Sequence, residues 1–176
     1  LQYTGGTTGK PKGTMLTHAN LSAACSIYKA WADPQRISAP GEDKIICVLP
    51  LFHIYALTSV LLRGLSEGNE LLLRPRFDVA TTLSDIEVKK ATVFPGVPTM
   101  WIALANAPGI DKRDFSSLRY AASGGAALPV EVAERFEKLT GQRLGGGWGM
   151  TETSPAGTSL PRVWSGKPGS VGLPLP

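Results

Sequence analysis

"LRYAASGGAALPVEVAERFEKLTGQRLGGGWG", residues 118–149, predicts a strand, a helix and a second strand in direct succession. The helix carries an apolar stripe at helical spacing, formed by Val132, Ala133, Phe136 and Leu139. Pro129 in its first turn and Gly141 at its end are residue types that begin and end helices. Each predicted strand runs into glycines, which indicates a turn at its carboxyl end. The stretch is therefore typical of one unit of an α/β fold.

The same alternation of strands and helices extends back to residue 17. Three apolar runs predict buried strands: DKIICVLP (43–50), ELLLRP (70–75) and ATVFPG (91–96). Four segments predict helices: THANLSAACSIYKAWA (17–32), YALTSVLLRGLSEGN (55–69), DVATTLSDIEVKK (78–90) and VPTMWIALANAPG (97–109). Thr17 or Asn20 is expected to cap the first helix, and Asp78 the third. Together they predict an α/β fold with a mostly parallel, doubly wound, flavodoxin-like sheet and helices on both faces.

The composition indicates an ordinary globular protein and argues against several function classes. The chain has 176 residues, 43% hydrophobic and 18% charged, with a net charge of +4. Basic and aromatic residues do not interleave, so no nucleic-acid partner is expected. No apolar run reaches the roughly 20 residues of a transmembrane helix, which leaves peripheral membrane contact open. Cys25 and Cys47 lie in apolar segments, which predicts buried, reduced thiols and a cytoplasmic location.

Near the amino terminus, YTGGTTGKPKG (3–13) combines glycines, threonines and two lysines. Successive backbone N–H groups, hydroxyls and the ammonium groups of Lys10 and Lys12 would form a site for phosphate oxygens. Glycine-rich stretches at 124–125 and 145–149 also follow predicted strands. Because ligands bind at the carboxyl ends of parallel strands, we expect all three stretches to converge on one crevice. A flexible surface turn is the alternative interpretation of the first loop.

The best-known phosphate and nucleophile motifs do not fit this chain. Aligning Gly9 and Lys10 with a Walker loop places Thr4 where the first glycine belongs and Pro11 where the magnesium-binding hydroxyl belongs. The dinucleotide pattern G-x-G-x-x-G is absent from the sequence, and so is the nucleophile elbow G-x-S-x-G. The threonine-rich loop is therefore predicted to bind phosphate in another way.

YTGGTTGKPKG closely resembles the signature of the adenylate-forming superfamily, which includes acyl-CoA synthetases, 4-coumarate–CoA ligases, luciferases and peptide-synthetase adenylation domains. Three more stretches match in the family's order: LPLFHIYAL (49–57), ASGGAAL (122–128) and GGWGMTET (146–153). The closing GKPGSVGLPLP (166–176) is typical of acyl-CoA synthetases. The resemblance implies a fragment of a longer enzyme, with residues 1–153 as its ATP-binding α/β subdomain and residues 154–176 as a loop leading to the remainder.

The resemblance also implies a reaction and its co-substrates. Family members use ATP and Mg²⁺ to convert a carboxylic acid to an acyl-adenylate with release of pyrophosphate, and a thiol, usually that of CoA, then takes the acyl group. FPGVPTMWIAL (94–104) resembles bacterial fatty-acyl enzymes, whereas LFHIYALTSVLLRGL (51–65) resembles 4-coumarate ligases. A medium- or long-chain fatty acid is the expected substrate. Two alternatives are a nucleotide-binding module without catalysis and an adenylating enzyme with another acceptor.

Site residues follow from the resemblance, position by position. The β- and γ-phosphates of ATP are expected at the first loop, on Thr4, Gly5, Gly6, Thr7, Thr8 and Lys12. The adenine cleft is expected at Gly124, Gly125, Ala126, Gly146, Gly147 and Trp148. Gly5 departs from the family, which usually has serine or threonine there, so weaker phosphate contact is expected. For Trp148 the alternative is a core aromatic residue.

The remaining assignments concern the reacting groups. Thr151 is expected to contact the α-phosphate and Glu152 to bind Mg²⁺, a suitable role for a carboxylate beside phosphates. His53 and Tyr55 are expected in the acyl pocket, with the His53 imidazole near the reacting carboxylate, although a structural histidine is an equal alternative. Arg76 resembles a position that contacts the CoA nucleotide. The family's ribose-binding aspartate and catalytic lysine have no counterpart here, so this chain alone is expected to be inactive.

Overall fold

The computed structural model describes residues 1–5, 9–163 and 167–176. Its strands are β1 (Gln2–Thr4), β2 (Lys12–Thr14), β3 (Lys44–Cys47), β4 (Glu70–Leu73), β5 (Val93–Gly96), β6 (Tyr120–Ser123), β7 (Leu144–Gly146), β8 (Thr158–Ser159) and β9 (Leu173–Pro174). Its α-helices are α1 (His18–Ala32), α2 (Arg63–Ser66), α3 (Val79–Glu87), α4 (Pro98–Ala105) and α5 (Val130–Thr140). A π-helix spans Tyr55–Leu62, and short 3₁₀ turns complete the regular structure.

Five parallel strands form the central sheet, in the order β4-β3-β5-β6-β7. Alternate residues of β3 belong to different hydrophobic clusters, which places one cluster on each face of the sheet. Ile46 packs in the larger cluster with residues of α3, α4 and α5, whereas Ile45 and Cys47 pack with Val60 of the π-helix. The helix α1 lies against that π-helix. The predicted α/β fold, with a parallel sheet and helices on both faces, is confirmed.

Aromatic side chains fill the centre of the larger cluster. Phe94, Trp101 and Phe136 are fully buried. The ring centroids of Phe94 and Trp101 lie 4.7 Å apart, and those of Trp101 and Phe136 lie 5.2 Å apart. Such pairs add roughly 0.5–1.5 kcal/mol to the burial of the rings. This packing fixes α4 and α5 on the sheet and so positions the loops that follow β5, β6 and β7.

The predicted helix caps are confirmed. The Thr17 hydroxyl accepts a hydrogen bond from the Asn20 backbone N–H at 3.1 Å, while the Asn20 side chain accepts one from the Thr17 N–H at 2.9 Å. Asp78 caps α3 by accepting a hydrogen bond from the Thr81 N–H at 2.7 Å. Gly141 ends α5 with a left-handed conformation, φ 70°.

Two sequence predictions need correction. The segment 55–69 is not one uniform helix, because its first eight residues form a wide π-helical turn before α2 begins. Cys25 is only half-buried, since α1 is itself partly covered and buries only Ala24 and Ala32. Cys47 is buried as predicted, and both cysteines are free thiols. Among the described residues, no helix is both long and apolar enough to cross a membrane.

The tail contains more regular structure than the predicted loop. Its strands β8 and β9 form an antiparallel pair. The tail also bonds to the end of the central sheet, because the Leu160 N–H donates to the Gly146 carbonyl at 2.8 Å and the Thr158 N–H donates to the Trp148 carbonyl at 2.8 Å. The domain boundary after residue 153 stays a prediction.

Candidate active site

A cavity of approximately 520 Å³ opens at the carboxyl ends of β5, β6 and β7. Most of the predicted site residues line it: Thr4, Lys12, His53, Tyr55, Gly124, Gly125, Gly146, Gly147, Trp148, Thr151 and Glu152. Its size is that of a small-molecule site, and its position at the strand ends is where an open parallel sheet binds ligands. The glycine-rich stretches at 124–125 and 146–149 therefore meet at this cavity, together with Thr4 and Lys12, which flank the first loop.

The strands on either side of the threonine-rich loop, β1 and β2, form an antiparallel pair. Thr4 and Lys12 are directly opposite each other in the hairpin register, so both reach the cavity mouth at the base of the loop. Gly6, Thr7 and Thr8 lie outside the described residues. Gly5 is exposed, and a side-chain carbon added there would meet no atom of the described residues within 4 Å. Packing therefore does not require a glycine at residue 5.

At the cavity wall, Gly124 of the ASGGAAL stretch packs against Tyr55 of the LPLFHIYAL stretch. A Cβ atom built on Gly124 would lie 2.8 Å from Cε1 of Tyr55, which is too close for any side chain. The Gly124 N–H donates to the Gly96 carbonyl at 3.0 Å, which continues the sheet by one residue. Gly125 follows with a positive φ of 79°. Ala126 is exposed and is not part of the cavity lining.

Trp148 stands at the cavity edge and is not a core residue, because 49% of its surface is exposed. Its backbone is held on both sides by Thr158: the Trp148 N–H donates to the Thr158 hydroxyl at 3.0 Å, and the Trp148 carbonyl accepts from the Thr158 N–H. Gly147 precedes it, and any side chain at Gly147 would collide with the Thr158 backbone. The ring is thus presented to the cavity by a fixed backbone.

Thr151 and Glu152 lie in a 3₁₀ turn, Thr151–Thr153, that contacts β1. This contact places the base of the threonine-rich loop beside the turn that carries Thr151 and Glu152, and all of them line the cavity. Glu152 is exposed, and no cluster of three or more metal-binding side chains occurs within the described part of the chain. A single carboxylate beside bound phosphates is a usual way for a protein to hold Mg²⁺, so Glu152 fits that ion.

His53 and Tyr55 line the cavity where the π-helix begins. Nδ1 of His53 accepts a hydrogen bond from the Tyr55 N–H at 3.2 Å, which fixes the ring and leaves the proton of a neutral imidazole on Nε2. His53 is exposed to the cavity mouth. Burial raises the pKa of the Tyr55 hydroxyl, so Tyr55 is a neutral phenol at physiological pH.

Arg76 lies apart from the other predicted residues. It follows β4, the edge strand furthest from β7, and its exposed side chain does not line the cavity. Its role toward CoA stays a prediction.

A family model described as "AMP-binding enzyme" matches residues 1–176, the whole chain. The chain belongs to the AMP-binding enzyme family. The predicted membership of the adenylate-forming superfamily is thereby confirmed.

Relatives within the AMP-binding family include ligases for two kinds of acid. The chain is 45% identical over 177 residues to a long-chain-fatty-acid–CoA ligase of Bacillus subtilis, with all of this chain and 31% of that protein covered. It is 42% identical over 156 residues to 4-coumarate–CoA ligase 2 of Nicotiana tabacum, with 88% and 29% covered. The solved structure of O-succinylbenzoate coenzyme A synthetase from Bacillus subtilis, in complex with ATP and magnesium ion, superposes with a TM-score of 0.83 at 32% identity, covering 99% and 35%. The chain therefore spans about a third of the length of these proteins.

Sequence reasoning missed a second group of cavity residues in this AMP-binding chain. They lie deeper than the predicted site and come from α1, the π-helix, α2 and β6; they are Tyr28, Trp31, Ser59, Arg63 and Tyr120. Ser59 and Arg63 follow Tyr55 at successive intervals of four residues, which places all three along one wall. That spacing was the one signal in the sequence, whereas nothing local to Tyr28 or Tyr120 indicates a pocket.

Proposed function

We propose that the intact polypeptide containing this chain activates a carboxylic acid with ATP, forming acyl-AMP and pyrophosphate, and then transfers the acyl group to CoA. One observation carries the proposal: the base of the threonine-rich hairpin meets the Thr151–Thr153 turn at the mouth of a cavity whose walls hold His53 and Trp148. Relatives named as CoA ligases support the same reaction. A medium- or long-chain fatty acid is the proposed substrate.

In the proposed first step, the acid's carboxylate attacks the α-phosphorus of ATP and pyrophosphate leaves. Lys12 and the hairpin loop, including Thr4, would hold the β- and γ-phosphates, and the Thr151 hydroxyl would contact the α-phosphate. The His53 imidazole, held through its Nδ1 and lining the cavity, would orient the incoming carboxylate. Glu152 would hold Mg²⁺, which supplies charge neutralisation on the phosphate oxygens.

The nucleotide base is proposed to lie in the cleft between the Gly124–Gly125 turn and the Gly146–Gly147 segment. Backbone at these positions is accessible because neither segment projects side chains into the space. The half-exposed Trp148 ring supplies a flat apolar surface at the edge of that cleft.

Exchange of radiolabelled pyrophosphate into ATP tests the proposal. The intact polypeptide is assayed with a panel of acids that spans straight-chain fatty acids and aryl acids. We expect exchange that depends on the acid and on Mg²⁺. ATP binding without exchange for every acid would instead establish a nucleotide-binding module without catalysis.

A second candidate acid is aromatic, because the 4-coumarate–CoA ligase relative is nearly as similar as the fatty-acid one. The same panel separates the two classes by their kcat/KM values. Product analysis with CoA and with other thiols then identifies the acceptor, and formation of acyl-AMP without a CoA thioester would point to carrier loading or oxidation.

A further inference from the structure

The end of α1 and the tail contribute two walls of the cavity, although they are far apart in the sequence. Trp31 and Ala32, the last residues but one and the last of α1, line the cavity on one side. Thr158 and Ser159, which form β8, line it from the tail. The relative position of these two segments therefore affects the shape of the cavity.

Two hydrogen bonds join these walls, and we call them the Gln35–Arg162 clamp. The backbone N–H of Arg162 donates to Oε1 of Gln35 at 2.8 Å, and Nη1 of Arg162 donates to the Arg36 carbonyl at 2.9 Å. Nε2 of Gln35 donates to the Trp31 carbonyl at 2.8 Å, so both ends of the Gln35 amide are bonded. Within the described part of the chain, no further hydrogen bond joins residues 18–36 to the tail.

The backbone of Arg36 is shaped to accept this contact. Arg36 has the left-handed conformation, with φ 53° and ψ 37°. This conformation is unfavourable for a residue with a side chain, and it persists where surrounding contacts favour it. Here the Arg36 N–H donates to the Asp33 carbonyl at 3.1 Å while the Arg36 carbonyl accepts from Arg162. The exposed Arg36 side chain is not needed for the clamp.

The two walls are attached to the rest of the molecule with different strength. The tail is bound to the end of the central sheet by the backbone hydrogen bonds of Thr158 and Leu160. By contrast, α1 buries only Ala24 and Ala32 among its 15 residues. An element that buries few apolar side chains gains little from packing, so it opens locally at low cost. The clamp therefore stabilises the end of α1 by bonding it to the more firmly attached tail.

Building on the proposed function, we propose that Gln35 and Arg162 are positioning residues for binding of the acid. They fix the last turn of α1, and with it Trp31, as a cavity wall before the acid enters. Without the clamp the acid would have to order this wall as it binds, which weakens binding. Among the described residues, Thr151 and Glu152 make no hydrogen bond to the clamp, so the chemical step should not change.

Hydrogen exchange tests the clamp independently of catalysis. The intact polypeptide is compared with its Gln35→Ala and Arg162→Ala variants, and peptides that cover residues 28–37 are followed by mass spectrometry. We expect their amides to exchange about threefold to tenfold faster in each variant, while peptides from α3 keep their rates. Unchanged exchange at residues 28–37 in both variants would overturn the proposal.

Pyrophosphate exchange with the best acid of the panel tests the effect on binding. Each variant should raise the KM for the acid by about threefold to tenfold, with kcat and the KM for ATP within about twofold of the unaltered values. Because both hydrogen bonds hold one contact, the double variant should raise this KM by less than the product of the two single effects.

Each other outcome counts against a stated part of the argument. An unchanged KM for the acid, a fall in kcat instead of a rise in KM, or fully multiplicative effects in the double variant would overturn the positioning role. Absence of pyrophosphate exchange with every acid in the unaltered polypeptide would overturn the proposed function, whereas the hydrogen-exchange result would still decide whether the clamp holds α1.

Gln142→Ala and Arg135→Ala are the matched controls. Nε2 of Gln142 donates to the Phe115 carbonyl at 3.1 Å, the same kind of bond that Gln35 makes, and Gln142 does not line the cavity. Arg135 is an exposed arginine of α5. Both controls should leave the KM for the acid and the exchange at residues 28–37 unchanged. An equal rise in KM in either control would attribute the effect to a general loss of stability and overturn the positioning role.

Discussion

The mouth of the cavity and its inner end are built in different ways. Glycine-rich segments line the mouth together with the side chains of Thr4, Lys12, Trp148, Thr151 and Glu152. The inner end is lined by Tyr28, Trp31, Ser59, Arg63 and Tyr120, which come from segments as distant in the chain as α1 and β6. The mouth residues lie in stretches that match the adenylate-forming superfamily, whereas no motif of the sequence contains Tyr28 or Tyr120. Under the proposed function, we therefore expect the mouth to hold ATP and the inner end to contact the acid.

The largest effect is expected from a substitution at the cavity mouth, Glu152→Gln, which leaves the inner end unchanged. Glu152→Gln removes the carboxylate proposed for Mg²⁺, so kcat for pyrophosphate exchange should fall by about a hundredfold to a thousandfold. The exposed position of Glu152 means that the melting temperature should not change. The ratio of kcat/KM values between a fatty acid and an aryl acid should also stay the same. A variant with full activity would remove Glu152 from the proposed site.

A smaller effect is expected where the two regions meet. Gly124→Ala would place a carbon against the Tyr55 ring, so we expect kcat/KM to fall by about tenfold to a hundredfold for both ATP and the acid. Steady-state kinetics with each substrate varied in turn measures the two values.

The double variant Gly124→Ala with Tyr55→Leu is the matched test of that clash. Removing the ring should restore ATP kinetics, because the added methyl group then has space. Acid kinetics should remain impaired, since Tyr55 also lines the acid side of the cavity. Failure of the double variant to recover ATP kinetics would show that Gly124 acts through its own backbone instead.

A substitution at Gly5 is expected to strengthen ATP binding at the mouth and to leave acid binding unchanged. Gly5→Ser restores the hydroxyl that the family usually carries in the first loop, and the open space around Gly5 accommodates it. One added hydrogen bond should lower the KM for ATP by about threefold. The KM for the acid should not change, and Gly5→Ala is the control that adds the carbon without the hydroxyl. An increased KM for ATP in the serine variant would contradict the assignment.

The smallest effect lies outside both regions and provides a reference for stability. Asp78 caps α3, and its hydrogen bonds from Thr81 hold the pKa of its carboxyl below the usual value. A depressed folded-state pKa stabilises the protein above the pKa of the unfolded chain, and the benefit is lost as the pH falls through the folded value. Asp78→Asn should therefore lower the urea midpoint slightly at pH 7, and less so as the pH falls below about 4. A difference that grew in acid would contradict the cap assignment.

Local sequence patterns predicted the strands and the helix caps because these depend on neighbouring residues, whereas the site residues at the mouth were named from the resemblance to the adenylate-forming superfamily and stay predictions. Strands such as β3 and β6 are short apolar runs, and Thr17 and Asp78 cap helices through residues three positions away. The turn at Gly124 and the hairpin at Thr4 and Lys12 are likewise local. The π-helical turn at Tyr55–Leu62 was missed because no residue pattern separates it from an α-helix. The inner end was missed because Tyr28, Ser59 and Tyr120 become neighbours only when three elements pack together.

The backbone bonds between Trp148 and Thr158 have a practical consequence for where the chain can be cut. The strip 146–149 is braced from outside by residues of the tail, and the tail is closed on itself by the Leu175 N–H, which donates to the Gly157 carbonyl at 3.0 Å. An expressed piece that stopped at residue 153 would lose the hydrogen bonds from Thr158 and Leu160 that hold residues 146–149, including Trp148. Shortened versions intended for crystallisation or ligand screening should therefore retain everything through Pro176.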